Sequence, residues 1–187
     1  MSSDGREPPD WIVAARQSWN QSVRPDNIVV PGKGQESVWD YTRPPTLERV
    51  SKTVRVVLGG VEVANTSRAQ RICETASPPT FYVSREDVQM DLLKPLTRAS
   101  MCEWKGEAAY FDVVAGGTVA AGAAWCYPMP FAPFGAVAGW LAFMPAAMDA
   151  CYVGDDKVVA QPGGFYGGWI TPDLTGPFKG APGTTHW

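Results

Sequence analysis

The chain has 187 residues, with 16 Lys and Arg against 19 Asp and Glu and a net charge of −3. That balance excludes the basic face that nucleic-acid binding requires. Hydrophobic residues at 45% and aromatics at 11% exclude a chain disordered throughout and supply one sizeable core, while 19 Gly and 17 Pro disfavour long helices.

Asp4, Arg6 and Glu7 open the chain with no apolar run behind them, so these residues do not read as a secretory signal, and the cytosol is the expected compartment. The polar, proline-bearing stretch 1–35 reads as an extension. Within it Asp10 is placed to cap a short helix over 11–19, with Trp11, Ala15 and Trp19 along one face. Two β-rich runs, 53–58 and 61–64, flank Gly59-Gly60, the two-residue loop that tight hairpin turns favour. Residues 80–83 read as a short strand after Pro78-Pro79. Ser84, with Asp87 three residues on, suggests a capped helical turn through 88–93. Runs 108–114 and 118–127 predict a second hairpin around Ala115-Gly116-Gly117. Residues 134–144, Ala-rich and bounded by Pro133 and Pro145, predict a helix. A third hairpin is expected from 151–153, a turn at Gly154-Asp155-Asp156, and 157–160. The tail 161–187 is too rich in Gly and Pro for regular structure, yet its Phe165, Tyr166, Trp169 and Phe178 are expected to lie against the domain.

Residues 113–148 carry no Asp, Glu, Lys or Arg, but Pro128, Pro130, Pro133 and Pro145 cut them into pieces shorter than the roughly 20 residues that span a bilayer. This stretch reads as core, and no membrane partner is expected. Cys73, Cys102, Cys126 and Cys151 form no C-x-x-C pair and read as free thiols. With one histidine, His186, the chain lacks the close-spaced ligands of a zinc site, and no metal or other cofactor is expected. Neither a G-x-x-x-x-G-K-[ST] loop nor a G-x-G-x-x-G fingerprint occurs.

Three groups of residues carry chemistry. Cys102 and Lys105 stand in the run Cys-Glu-Trp-Lys-Gly-Glu, where a nearby ammonium favours a thiolate; the alternative is a buried small hydrophobe before a charged turn. Arg85, Glu86 and Asp87 follow one strand and Arg71 and Glu74 belong near another, bringing carboxylates for acid and base work and guanidinium groups for an anion, or else a cap and surface ion pairs. Trp39, Tyr41, Tyr82, Trp104, Tyr110, Trp125 and Tyr127 lie on or beside strands. Most must fill the core, and the remainder can wall a pocket for a flat or cationic ligand.

Through these same residues the chain resembles the family called domain of unknown function 427. The matching pieces are Val38-Trp39-Asp40-Tyr41 with Arg43-Pro44-Pro45, Val56 to Gly60, Glu74-Thr75, Tyr82 with Arg85-Glu86-Asp87-Val88, Cys102 with Trp104 to Ala108 and Tyr110, and Trp125 with Tyr127-Pro128. The resemblance implies a mainly β fold, a β-tent (Mss4-like) of two antiparallel sheets with one or two short helices. It covers about residues 36–158 of an expected domain at 36–160, with the tail at 161–187 packed on it. Relatives of that superfamily carry zinc between C-x-x-C pairs, which this chain lacks. A nucleotidyltransferase label is attached to the family, but the Gly-Ser loop and Asp-x-Asp pair of that chemistry are absent.

The expected function is that of a small-molecule binding protein with an aromatic-lined cleft. Its ligand-binding residues are Trp39, Tyr41, Arg43, Glu74, Tyr82, Arg85, Trp104, Tyr110, Trp125 and Tyr127. The alternative is a metal-free enzyme of small-molecule (secondary) metabolism. It would use Asp87, Arg85 and Lys105 for acid-base chemistry, or Cys102 or Lys105 as nucleophile. Four motif segments, Trp39 to Arg43, Tyr82 to Asp87, Cys102 to Gly106 and Trp125 to Tyr127, are expected to converge on one cleft between the sheets, with Arg43, Asp87 and Lys105 at its mouth. The partner is a small molecule, with no nucleic acid and no membrane, and a homo-oligomer stays open.

Overall fold

The structure, a computed structural model, describes residues 7–19, 24–184 and 186–187. Among the described residues a helix α1 (Asp10–Trp19) precedes fifteen strands. They are β1 (Glu36–Ser37), β2 (Thr46–Arg49), β3 (Val54–Leu58), β4 (Val61–Thr66), β5 (Gln70–Glu74), β6 (Ser77–Tyr82), β7 (Leu93–Cys102) and β8 (Gly106–Ala115). There follow β9 (Thr118–Cys126), β10 (Ala142–Phe143), β11 (Ala150–Val153), β12 (Asp156–Lys157), β13 (Val159–Ala160), β14 (Trp169–Ile170) and β15 (Leu174–Thr175). The protein is mainly β, as its composition and turn residues predict.

Three antiparallel sheets build the body: β12-β11-β3-β4, β10-β9-β8-β7 and β2-β5-β6. Both Gly-Gly hairpins form as expected, Leu58 pairing with Val61 and Ala115 with Thr118. The two turns also touch each other. A Cβ at Gly59 would stand 2.2 Å from the Ala115 carbonyl oxygen, and one at Gly116 would stand 1.9 Å from that of Gly59. Both glycines have positive φ, 57° and 53°, so the sequence spends its glycines where turn geometry and close backbone approach coincide. Between the sheets lies a hydrocarbon core of Val54, Val56, Leu58, Val63, Val83, Val113, Leu141 and Phe143, all within 1% of full burial.

The tail enters this core. Trp169 is fully buried, stacks on Phe81 at 5.0 Å and donates its indole N–H to the Phe143 carbonyl at 3.1 Å. Gln161, also buried, accepts from the Gly168 N–H and donates to the Lys179 carbonyl. β14 pairs with β13, and β15 runs parallel to β1.

Several local expectations are overturned. The helix expected over 134–144 is a 3-10 turn, Ala132–Val137, followed by strand β10. Gly135 and Gly139, the latter with φ of 71°, weaken the helix, and Ala142 and Phe143 gain sheet partners in Trp125 and Ala124. Asp10 is the first helical residue of α1 rather than its cap; the Pro9 carbonyl accepts the N–H groups of Ile12 and Val13. The face turned inward carries Ile12, fully buried, while Trp11 is 59% exposed; the side chain of Trp19 lies outside the described residues. Ser84 makes no side-chain cap. The run beyond it forms two short 3-10 turns, Arg85–Asp87 and Met90–Leu92, with Val88 extended and bridged to Ala64. Strand β7 has no expectation behind it. Pro95 stands within it because β7 is a sheet edge, with β8 on one side and no sheet partner on the other.

Candidate functional site

A cavity of about 780 Å³ opens where the ends of β5 and β6 face β7, β8 and β9, and the tail closes one side. Strand alternation puts Tyr82 of β6, Tyr110 of β8 and Trp125 of β9 on it, with Tyr127 just beyond β9. The tight turn between β7 and β8 delivers Cys102, Trp104 and Lys105, and the tail contributes Tyr166 and Lys179. Tail contact depends on Gly167, where a Cβ would fall 2.1 Å from the Trp125 ring. From outside, α1 braces the turn: Arg16 donates to the Glu103 carbonyl at 2.7 Å and lies over the Trp104 ring at 5.2 Å.

Of the expected site residues, Glu74, Tyr82, Cys102, Trp104, Lys105, Tyr110, Trp125 and Tyr127 line this cavity. Tyr82 and Tyr127 face each other with centroids 6.5 Å apart, and the Lys105 ammonium lies 5.7 Å from the Tyr127 ring. Burial works against the Lys105 charge, but Cys102, Tyr127, Tyr82 and Glu74 around it outweigh burial and raise its pKa. It is therefore an ammonium at neutral pH, half-buried on the cavity wall. Burial pushes the Tyr82 phenol up to about 12 and raises Tyr127 as well, Lys105 opposing both. The Trp104 indole N–H is buried with no hydrogen-bond partner. The Tyr82 hydroxyl lies near the Trp125 indole without the geometry of a hydrogen bond.

Five expected residues lie elsewhere. Asp87 accepts from Thr66 Oγ1 at 2.6 Å and from Arg68 Nε and an Arg68 terminal nitrogen at 2.9 and 3.0 Å, and none of these residues lines the cavity. Arg68 and Thr66 hold its carboxyl below the usual range, so Asp87 is an ionised structural anchor without a pKa suited to acid or base work near neutral pH. Arg85 is exposed on the same turn. Trp39 is core: it packs with Val38, Ala76 and Leu174 and donates its indole N–H to the Pro177 carbonyl at 2.8 Å. Tyr41 packs against that cluster, with its phenol raised by burial. Arg43 stands behind Glu74 rather than at the mouth, donating to its carboxylate at 3.2 Å and to the Thr75 and Trp187 main-chain oxygens at 3.1 Å each.

The residues that sequence reasoning missed are Arg98, over the Tyr110 ring at 4.1 Å, and Lys179, over Tyr166 at 5.7 Å with Nζ 2.5 Å from the Trp187 oxygen. Both line the cavity. The only signal for Lys179 was its place among the aromatics of the tail. Four cysteines are free thiols; Cys73, Cys126 and Cys151 are buried and Cys102 is half-buried. Burial pushes Cys73 and Cys151 up to about 12 and also raises Cys126. Among the described residues no group of three His, Cys, Asp or Glu side chains is placed to hold a metal ion, and no helix is long and apolar enough to cross a membrane.

Mainly antiparallel sheets around an aromatic cavity with a lysine inside define the class of protein this is. The chain belongs to the family of domain of unknown function 427, whose model matches residues 46–154, from β2 to the turn after β11. No curated protein matches the chain in sequence.

Proposed function

We propose that the protein binds a small molecule in this cavity, within a β-tent arrangement of its sheets. The observation that carries the reading is the cavity itself: its 780 Å³ falls in the range of small-molecule sites, and seven rings, Tyr82, Trp104, Tyr110, Trp125, Tyr127, Phe165 and Tyr166, wall it around a few polar groups. Hydrocarbon packing accounts for large rings, but a lysine and a buried indole N–H without a partner are costly to leave that way. Four free thiols suit a reducing compartment, so we place the protein in the cytosol. The test is a fluorescence titration with a panel of aromatic compounds. Binding should quench tryptophan emission in the wild type and lose that signal in Trp125→Leu. A panel without a saturable response in the wild type overturns the reading.

A second reading, a thiol-dependent enzyme, is favoured by one observation: Cys102 alone of the four cysteines lines the cavity. Alkylation of the native protein across pH is expected to modify Cys102 and to spare Cys73, Cys126 and Cys151 until unfolding. A Cys102 alkylation profile with the pKa of about 8.5 of an ordinary thiol, or complete protection, removes this reading and leaves the first.

A further inference from the structure

The charges on the cavity wall are unevenly matched. Glu74 is in an ion pair with Arg43, whose side chain is 5% exposed. Glu103 acts on the tail side, where its charge bears on Lys179 and Tyr166. Arg98, 4.1 Å from the centre of the Tyr110 ring, is exposed, where water screens its charge, and Lys179 donates to the Trp187 oxygen. Lys105 is the exception. Among the described residues its ammonium makes no ion pair and no hydrogen bond, and it lies 5.7 Å from the centre of the Tyr127 ring. An ammonium half-buried among rings is costly unless an anion joins it.

We infer that the ligand is a planar aromatic monocarboxylate whose acid group pairs with the Lys105 ammonium while its ring lies among the aromatic walls. This inference rests on the small-molecule reading above and goes beyond it by fixing the sign and number of the ligand's charges. One half-buried cation without an anion calls for one negative charge; a dianionic phosphate would leave a second charge unpaired beside it. A quaternary ammonium, the usual guest of an aromatic cage, is excluded because Lys105 already occupies the face of Tyr127 and repels a second cation. The cationic ligand allowed by the ring pattern alone is thereby set aside.

The experiment is calorimetric titration of the full chain at neutral pH with 2-naphthoate, with the neutral 2-naphthamide, and with a naphthylmethyl trimethylammonium salt. Naphthoate should bind about tenfold or more tighter than the amide, the factor expected of a hydrogen bond to a charged group. The ammonium salt should not bind. Lys105→Met and Lys105→Gln should bring acid and amide to equal affinity, while Lys105→Arg retains the preference. Lys105→Met should also melt at or above the wild-type temperature, because it removes an unpaired charge, whereas a lysine with a structural role would lower it. Equal affinities for acid and amide in the wild type overturn the anion inference and leave the small-molecule reading intact. An acid preference that persists in either uncharged variant assigns the acid to another cation and overturns it as well. Failure of all three compounds to bind overturns the anion inference, and the aromatic panel then decides the small-molecule reading. Should Lys105→Met fail to fold, the wild-type ratio and Lys105→Gln still decide.

Discussion

Two halves of the space between the sheets are built on opposite rules. Beneath β3, β4 and β11 the filling is Val, Leu, Ala and Phe, and the polar group buried among them, the Trp169 indole, finds the Phe143 carbonyl. Beside β6, β7 and β9 the filling is Tyr and Trp, Lys105 stands among them, and the Tyr82 hydroxyl and Trp104 N–H lack partners. The first half satisfies the demands of folding alone. In the second, polar atoms are held dry without protein partners, which folding by itself does not favour. Such a contrast within one chain supports the proposed binding half better than ring count does, because rings fill both, although the Tyr41 hydroxyl behind it is also unpartnered.

The largest effect that separates the halves is expected in the first. Phe143→Ala removes a fully buried ring that no cavity adjoins, and it should cost about 3–5 kcal/mol in denaturant unfolding, as large-to-small core substitutions do. Loss of less than 1 kcal/mol would mean that this half is not close-packed, and the contrast would fail. Naphthoate affinity, measured well below the midpoint, should be unchanged.

A smaller effect tests whether the acidic turn is part of the binding half. Asp87 is held ionised by Arg68 and Thr66. A carboxyl whose pKa is lower in the folded than in the unfolded chain contributes stability above the unfolded value, near 3.9, and that contribution is lost as pH falls through the folded value. Asp87→Asn should therefore cost about 1 kcal/mol at pH 6, the size of a partly exposed charge-assisted contact, and the gap to wild type should close below about pH 4. Ligand affinity should not change. A variant with normal stability and lost binding would return Asp87 to the site.

The sequence was legible where local chemistry and fold agree. Gly59-Gly60 and Gly116-Gly117 mark their hairpins because positive φ is a local demand. Strand β7 was illegible, since Pro95 and the polar residues around it describe an exposed sheet edge, and edges are fixed by what lies beside them. Residues 142–143 carry helical composition and form a strand because Trp125 and Ala124 offer partners from elsewhere in the chain. The candidate site divides in the same way. Cys102, Trp104 and Lys105 travel together on one turn, so their common exposure to the cavity follows from adjacency. Asp87 stands five residues after Tyr82, yet the 3-10 turn carries it to Arg68. Trp39 and Arg43 share a motif with the pocket residues but serve the layer behind it, one as core and one as the partner of Glu74. Spacing cannot separate a residue in the wall from one behind it.

The smallest effect bears most directly on the contrast. A tyrosine in a satisfied core loses about 1 kcal/mol or more when its hydroxyl is removed, because the partner is left unpaired. Tyr82 is 1% exposed and its hydroxyl has no partner, so Tyr82→Phe removes a desolvated group without orphaning another. Its unfolding free energy should stay within about 0.5 kcal/mol of wild type or rise. Phe143→Ala and Tyr82→Phe thus pair naturally: one phenyl ring removed from the hydrocarbon half should cost several times what one hydroxyl costs in the other. If Tyr82→Phe instead destabilises by more than 1 kcal/mol in the absence of ligand, the hydroxyl is bonded within the protein, the wall around Lys105 is better satisfied than its geometry indicates, and the division between a folding half and a binding half loses one of its two supports.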